Sequence, residues 1–202
     1  MVKRLLSLVA VIALIPIAAG CSSQKVPAEA AIRAAETAFG AVQTEAAKYL
    51  PDQTKGISDA IAAAKDAAAK GDYQAALTAA QALPAKITEL TSALAAKKAE
   101  LTTTWTGLSA VLPSAVEAIQ SRLNMLSKSK KLPAGLDKAK FEEAKTGLAS
   151  ITSTWTDATA AFGAGNLTDA IAKAGSVKTK AVEVMGLLGM QVPPALQGSP
   201  AK

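Results

Sequence analysis

Few side chains in this 202-residue sequence could carry out chemistry. There is one cysteine, Cys21, and no histidine. Zinc sites built on Cys or His, and catalytic triads with a histidine base, are therefore excluded. Ser127 and Lys130 are expected to be solvated loop residues, and the adjacent Glu142 and Glu143 would point about 100° apart on a helix. We therefore expect a protein that is not an enzyme and needs no metal or cofactor.

Two tryptophans share a local sequence. Trp105 follows Leu-Thr-Thr-Thr, Trp155 follows Ile-Thr-Ser-Thr, and a threonine comes after each. The favoured interpretation is that both indoles fill the core between many small alanines. In the alternative, they line a pocket for a sugar-like or apolar ligand, with the rings stacking on it and threonine hydroxyls binding its polar edges.

The positive charge is concentrated in one segment. The formal net charge of +6 falls to +4 without Lys3 and Arg4, and residues 122–140 alone carry +5. No aromatic residue interleaves this segment, so nucleic acid is not expected as a partner. An anionic lipid headgroup or envelope polymer is a better candidate, and a solvated lysine-rich loop is the plainer alternative. The candidate contact residues are Arg122, Lys128, Lys130, Lys131, Lys138 and Lys140.

The N-terminus has the layout of a secretory signal. Two basic residues precede an apolar run over 5–17, which is followed by Ala-Ala-Gly before Cys21. That run is shorter than the roughly 20 residues that span a bilayer core. The Ala-Ala-Gly-Cys sequence resembles the bacterial lipobox. The resemblance implies that the chain is cleaved before Cys21 and that Cys21 is acylated with chains such as palmitate. Stable membrane anchoring takes two lipid signals, and the acyl chains of a mature bacterial lipoprotein exceed that number. In a two-membrane bacterium, Ser22 at the next position implies an outer-membrane lipoprotein that faces the periplasm.

The rest of the chain predicts an all-α fold, an antiparallel helical bundle built from two related helical hairpins. Aromatic residues are 3% of the sequence, alanine is abundant, and strand-like alternation is absent. Two similar turn sequences, Gly71-Asp72-Tyr73 and Gly165-Asn166-Leu167, lie 94 residues apart. In each, glycine can end one helix in the left-handed conformation, and Asp72 or Asn166 can cap the next.

The sequence around each turn resembles part of a known helical repeat. The sequence Gly-Asp-Tyr-x-x-Ala-Leu-x-x-Ala, over 71–80, resembles the turn and second-helix start of a tetratricopeptide repeat, and residues 165–174 are a looser version. The resemblance covers about ten residues in each hairpin, without the ~34-residue period of that family. It implies short antiparallel helical hairpins, not a tetratricopeptide array.

The expected segments follow from these patterns. They are a signal peptide over 1–20, a lipidated tether over 21–27, a helical domain over 28–191 and a disordered tail over 192–202. Helices are expected over 28–50, 52–70, 72–83, 136–164 and 167–190, with a loop over 128–135. Pro84 is expected to kink its helix without ending it, because the apolar stripe continues to Leu112, and Pro113 is expected to start or kink the next helix.

These expectations favour one function and leave a second open. The favoured function is a lipid-anchored, periplasm-facing helical module that binds or scaffolds other components of the cell envelope without catalysis. Its partners would be the membrane, through the N-terminal lipid, and an envelope protein or polymer. The alternative is a carrier or sensor that holds a small apolar or sugar-like ligand between helices near Trp105 and Trp155.

Overall fold

The protein is all-α. The computed structural model describes residues 24–197; 86% of these residues are helical and none is in a strand. This confirms the prediction of an all-α helical bundle. The expected signal peptide, Cys21 and Ser22 lie outside the described residues. The helices are α1 (Lys25–Tyr49), α2 (Pro51–Ala69), α3 (Tyr73–Ser127), α4 (Lys138–Gly163), α5 (Leu167–Leu187) and α6 (Pro194–Gln197).

The described residues fall into two compact units. Unit 1 comprises 24–41 and Lys55–Ile87, and unit 2 comprises Val42–Thr54 and 88–197. Helices α1, α2 and α3 each contribute residues to both units, whereas α4, α5 and α6 belong to unit 2 alone. Over residues 24–197, no helix combines the length and the apolar character that crossing a membrane requires.

Unit 1 is held together by apolar positions at helical spacing. Its helices bury one stripe each, because residues three and four apart lie on the same face of a helix. Lys65 Nζ of α2 also donates to Glu36 Oε1 of α1 at 2.8 Å. The buried residues are Ala28, Ile32, Ala35 and Phe39 of α1, Ile57, Ile61 and Ala64 of α2, and Ala76, Ala80, Leu83 and Ile87 of α3.

Helix α3 is continuous over 55 residues and contains two prolines, Pro84 and Pro113. A proline inside a helix removes one backbone donor and crowds the preceding turn. The apolar stripe predicted that the helix continues through Pro84, and it does. Pro113 does not start a new helix, because α3 runs through it to Ser127.

The two predicted hairpin turns have the same backbone hydrogen bonds. Gly71 and Gly165 have φ of 82° and 75°, the left-handed conformation that glycine adopts without strain. The Asp72 N–H donates to the Ala67 carbonyl and the Asn166 N–H donates to the Ala161 carbonyl, each at 2.9 Å. Both turns are therefore Schellman motifs. The helix before the second turn ends 94 residues after the helix before the first, and the helices that follow the two turns also begin 94 residues apart.

The residues after these glycines differ in capping. The Asp72 carboxylate accepts from the Ala75 N–H at 3.0 Å, as predicted. Asn166 makes no side-chain cap bond, and its ψ of 67° is not the extended conformation that aims an N-cap side chain at the helix amides. A third cap that the sequence analysis missed is Asp137, which accepts from the Lys140 N–H at 2.8 Å and begins α4.

The segment expected to be a disordered tail contains a short helix. Helix α5 ends in a third Schellman turn at Gly189, with φ of 63°, and α6 follows from Pro194. Leu196 is buried in the core of unit 2 and Gln197 Nε2 donates to the Val192 carbonyl at 2.6 Å. The burial of Leu196 and the hydrogen bond of Gln197 both stabilise residues 194–197 in this position.

Candidate functional site

The two tryptophans that the sequence singled out stack on each other. Trp105 and Trp155 have ring centroids 5.4 Å apart and planes 6° apart, and Trp105 also stacks on Phe162 at 4.6 Å and 8°. Trp155 and Phe162 are seven residues apart on α4, about 10.5 Å along its axis, so Trp105 lies between them. The Trp105 ring faces are therefore covered by protein.

This aromatic stack is continuous with the core of unit 2. Trp105 is buried, Trp155 and Phe162 are half-buried, and all three belong to one apolar cluster formed by α3, α4, α5 and α6. The cluster contains many alanines at the close approach of α4 and α5, so the large rings occupy volume that the small side chains leave. The contacts support the core-packing interpretation of the tryptophans.

The threonines around the tryptophans bond to their own helices. The hydroxyls of Thr102, Thr103 and Thr104 donate to carbonyls four residues earlier at 2.8, 3.0 and 3.1 Å. On α4, Thr152 and Thr156 donate in the same way, each at 3.0 Å. These hydroxyls donate to the backbone of their own helices, which leaves the lone pairs of their oxygens as hydrogen-bond acceptors.

The basic segment forms the end of α3, the connection to α4 and the first turn of α4. Its five lysines, Lys128, Lys130, Lys131, Lys138 and Lys140, are all exposed. Lys140 Nζ donates to the Gly135 carbonyl at 3.1 Å. Within residues 24–197, no ion pair joins any of the five lysines to a carboxylate. Their charge is therefore available to an anion from outside.

Arg122 differs from the five lysines. It is half-buried on α3, and its Nε is a buried side-chain nitrogen that has no hydrogen-bond partner among the described residues. Unpaired buried donors are unfavourable, because desolvation is not offset by a new bond. Of the six predicted contact residues, five are exposed and Arg122 is partly enclosed.

A polar groove between α3 and α4 was not predicted. It has a volume of about 630 Å³ and opens to solvent. Leu123 and Leu148, 4% and 7% exposed, form its floor. The remaining lining residues are Gln120, Asn124 and Ser127 of α3 and Lys145, Ala149, Thr152, Ser153 and Thr156 of α4.

The groove could not be recognised before the pairing of α3 with α4 was known. On each helix its polar residues recur three and four positions apart, a pattern that is also typical of any exposed helix face. The basic segment begins at Lys128, directly after Ser127, so it follows the groove along the chain. Among the described residues, Ser153 of the groove has no hydrogen-bond partner and the five lysines have no carboxylate partner.

The described residues hold no other recognisable centre of chemistry. Over 24–197, no three acidic or cysteine side chains come close enough to form a metal site. The adjacent Glu142 and Glu143 do not act together, because Glu142 accepts from Lys145 Nζ at 3.0 Å on the same helix. Comparison of the chain with protein-family models, curated proteins and solved structures gives no match.

Proposed function

We propose that this protein is a lipid-anchored, non-enzymatic binding module of the cell envelope, held at the outer membrane through Cys21 and facing the periplasm. The anchor is inferred from the lipobox resemblance. The binding role is carried by one observation, the exposed lysines of residues 128–140, which have no carboxylate partner within the described residues. Clustered cations on a protein surface raise the local concentration of anions and steer their approach.

The aromatic stack supports this function over the small-molecule carrier. A ligand held by the tryptophans would need free ring faces, and those of Trp105 are covered by Trp155 and Phe162. To free a face of Trp105, Trp155 or Phe162 would have to move away from it. The lysines need no rearrangement to meet a partner.

In-cell crosslinking tests the binding role. A photo-reactive amino acid placed at Lys130 or Lys131 is expected to trap specific envelope components on illumination. The same amino acid at Lys48, exposed at the end of α1, is the control. Equal capture from Lys48 and Lys130, or none from either, would contradict the proposal.

Fractionation tests the anchor separately. The wild-type protein is expected in the outer-membrane fraction, and Cys21→Ser is expected to lose its lipid and its cleavage before residue 21. Mass spectrometry of the purified protein reports the acyl chains directly. A Cys21→Ser variant in the same fraction as wild type, with an N-terminal mass that differs only by the replacement of sulfur by oxygen, would refute the lipid attachment.

A further inference from the structure

We propose that the groove between α3 and α4 binds an acidic glycan, a chain of sugar units that carries carboxylate or phosphate groups. The proposal rests on the envelope-binding function above and names a ligand class for it. The proposed site consists of the groove residues, which are not part of the lysine segment.

The shape of the groove suits an extended polymer. Two helices line it along their lengths, with Gln120, Asn124 and Ser127 on α3 facing Lys145, Thr152 and Thr156 on α4. On α4 these positions span three turns, and one turn advances about 5.4 Å. Polar groups therefore repeat along the groove at about the length of one sugar unit.

The hydrogen-bonding groups suit a ligand that has hydroxyls. Thr152 and Thr156 donate to carbonyls four residues earlier, and Ser127 Oγ donates to the Asn124 carbonyl at 2.9 Å. In this arrangement each hydroxyl oxygen keeps lone pairs that can accept from donors on a ligand. Sugar hydroxyls are such donors, and Leu123 and Leu148 give the C–H face of a sugar an apolar floor.

The charge next to the groove favours acidic groups on the ligand. No carboxylate is among the lining residues, and Lys145 is the one charged residue among them. Glu142 pairs with Lys145 at the rim, so the excess positive charge comes from the lysines beside Ser127. A neutral glycan would leave these cations solvated, whereas an acidic one would gain charge-assisted hydrogen bonds.

An acidic glycan can be a free polymer or the headgroup of a glycolipid. Both present the same sugars and charges to the groove. The sources are distinguished by labelled oligogalacturonate on one hand and detergent micelles that contain a sialylated glycolipid on the other. Micelles that contain phosphatidylglycerol supply negative charge without a comparable glycan.

Binding is measured by fluorescence anisotropy of the labelled oligogalacturonate with the full-length protein purified in detergent. A galactose oligomer of the same length is the uncharged comparison. We expect binding of the acidic oligomer that weakens with salt, and at least about tenfold weaker binding of the neutral one, equivalent to about 1.4 kcal/mol. Unlabelled oligogalacturonate competes in either case; competition by the glycolipid micelles as well assigns a site that also takes lipid-linked glycans, and no competition by those micelles assigns a free polymer.

A matched pair of variants locates the site. Ser153→Glu places a negative charge in the groove, at a hydroxyl that has no hydrogen-bond partner among the described residues. Ser150→Glu makes the same change at an exposed position of α4 outside the lining. Since both sites are exposed and helical, both variants are expected to fold, which circular dichroism checks. We expect Ser153→Glu to weaken binding roughly tenfold and Ser150→Glu to change it little.

Three results would overturn the proposal. They are equal effects of the two glutamates, equal binding of acidic and neutral oligomers, and competition by phosphatidylglycerol micelles as strong as by either glycan. The envelope-binding function is tested independently, because crosslinks from Lys130 that persist in Ser153→Glu would keep that function while the glycan site fails.

Discussion

Gly147 is a point of close approach between α4 and α5, and replacing it tests the packing of unit 2. A Cβ at Gly147 would lie 2.5 Å from Val184 Cγ2, well inside the 3.5–4.0 Å of an ordinary carbon–carbon contact. Val184 is fully buried and β-branched, so it has little freedom to rotate away. We therefore expect Gly147→Ala to force the helices apart or strain the valine.

The magnitude follows from two opposing effects. Overpacking of a well-packed core costs about 1–3 kcal/mol. Replacing a helical glycine with alanine stabilises by about 1 kcal/mol. The expected net change for Gly147→Ala is a loss of about 1 kcal/mol in the free energy of unfolding.

Gly175→Ala is the matched control in α5. It makes the same chemical change inside a helix of the same hairpin, but its Cβ would meet nothing within 4 Å. We expect this variant to gain up to about 1 kcal/mol. The two proteins should therefore differ by roughly 2 kcal/mol, or about 4–8 °C in melting temperature.

Urea and thermal unfolding followed by circular dichroism measure this difference. Adding Val184→Ala to Gly147→Ala should be less costly than the sum of the two single changes, because the deleted methyl is the one that clashes. Equal stability of the Gly147→Ala and Gly175→Ala proteins would refute the close approach of α4 and α5 at this point.

Four further substitutions test other contacts. Trp105→Ala is expected to destabilise by about 3–5 kcal/mol and to remove the near-ultraviolet dichroism of the stacked rings; a loss below 1 kcal/mol in urea unfolding would argue against burial. Asp72→Ala should cost about 1 kcal/mol, whereas Asn166→Ala should cost much less because it makes no cap bond; equal melting temperatures would contradict this. The hydrogen bond from Lys98 to Glu45 raises the Lys98 pKa. That stabilisation is present below the ordinary lysine pKa of about 10.4 and is lost as pH rises through the raised value, so Glu45→Gln should flatten the alkaline decline of stability.

The hairpins were predictable because their signals are local. A left-handed glycine, a following cap residue and small apolar residues at helical spacing all lie within about ten positions of Gly71 and of Gly165. The failure at Asn166 is also local, since a residue type that can cap does not fix the ψ that capping requires. The short helix at Leu196 was missed because its order depends on a place in a core that distant helices build.

The site was harder to predict for the same reason. The lysine segment is contiguous in sequence and was visible as a run of charge. The stacking of Trp105 between Trp155 and Phe162, and the groove lined by Asn124 and Thr152, depend on which face of α3 meets α4. That pairing is decided by long-range packing, about which a local pattern carries no information.

The last residue of α1 has a consequence for the order of folding. Tyr49 Oη donates to the Gly165 carbonyl at 2.6 Å, a bond between residues 116 positions apart. At synthesis rates of 5–20 residues per second, Gly165 follows Tyr49 by about 6–23 s. During that interval the end of α1 has no native partner at the hairpin turn. The beginning of this chain therefore completes its structure only when residues near its end have been made.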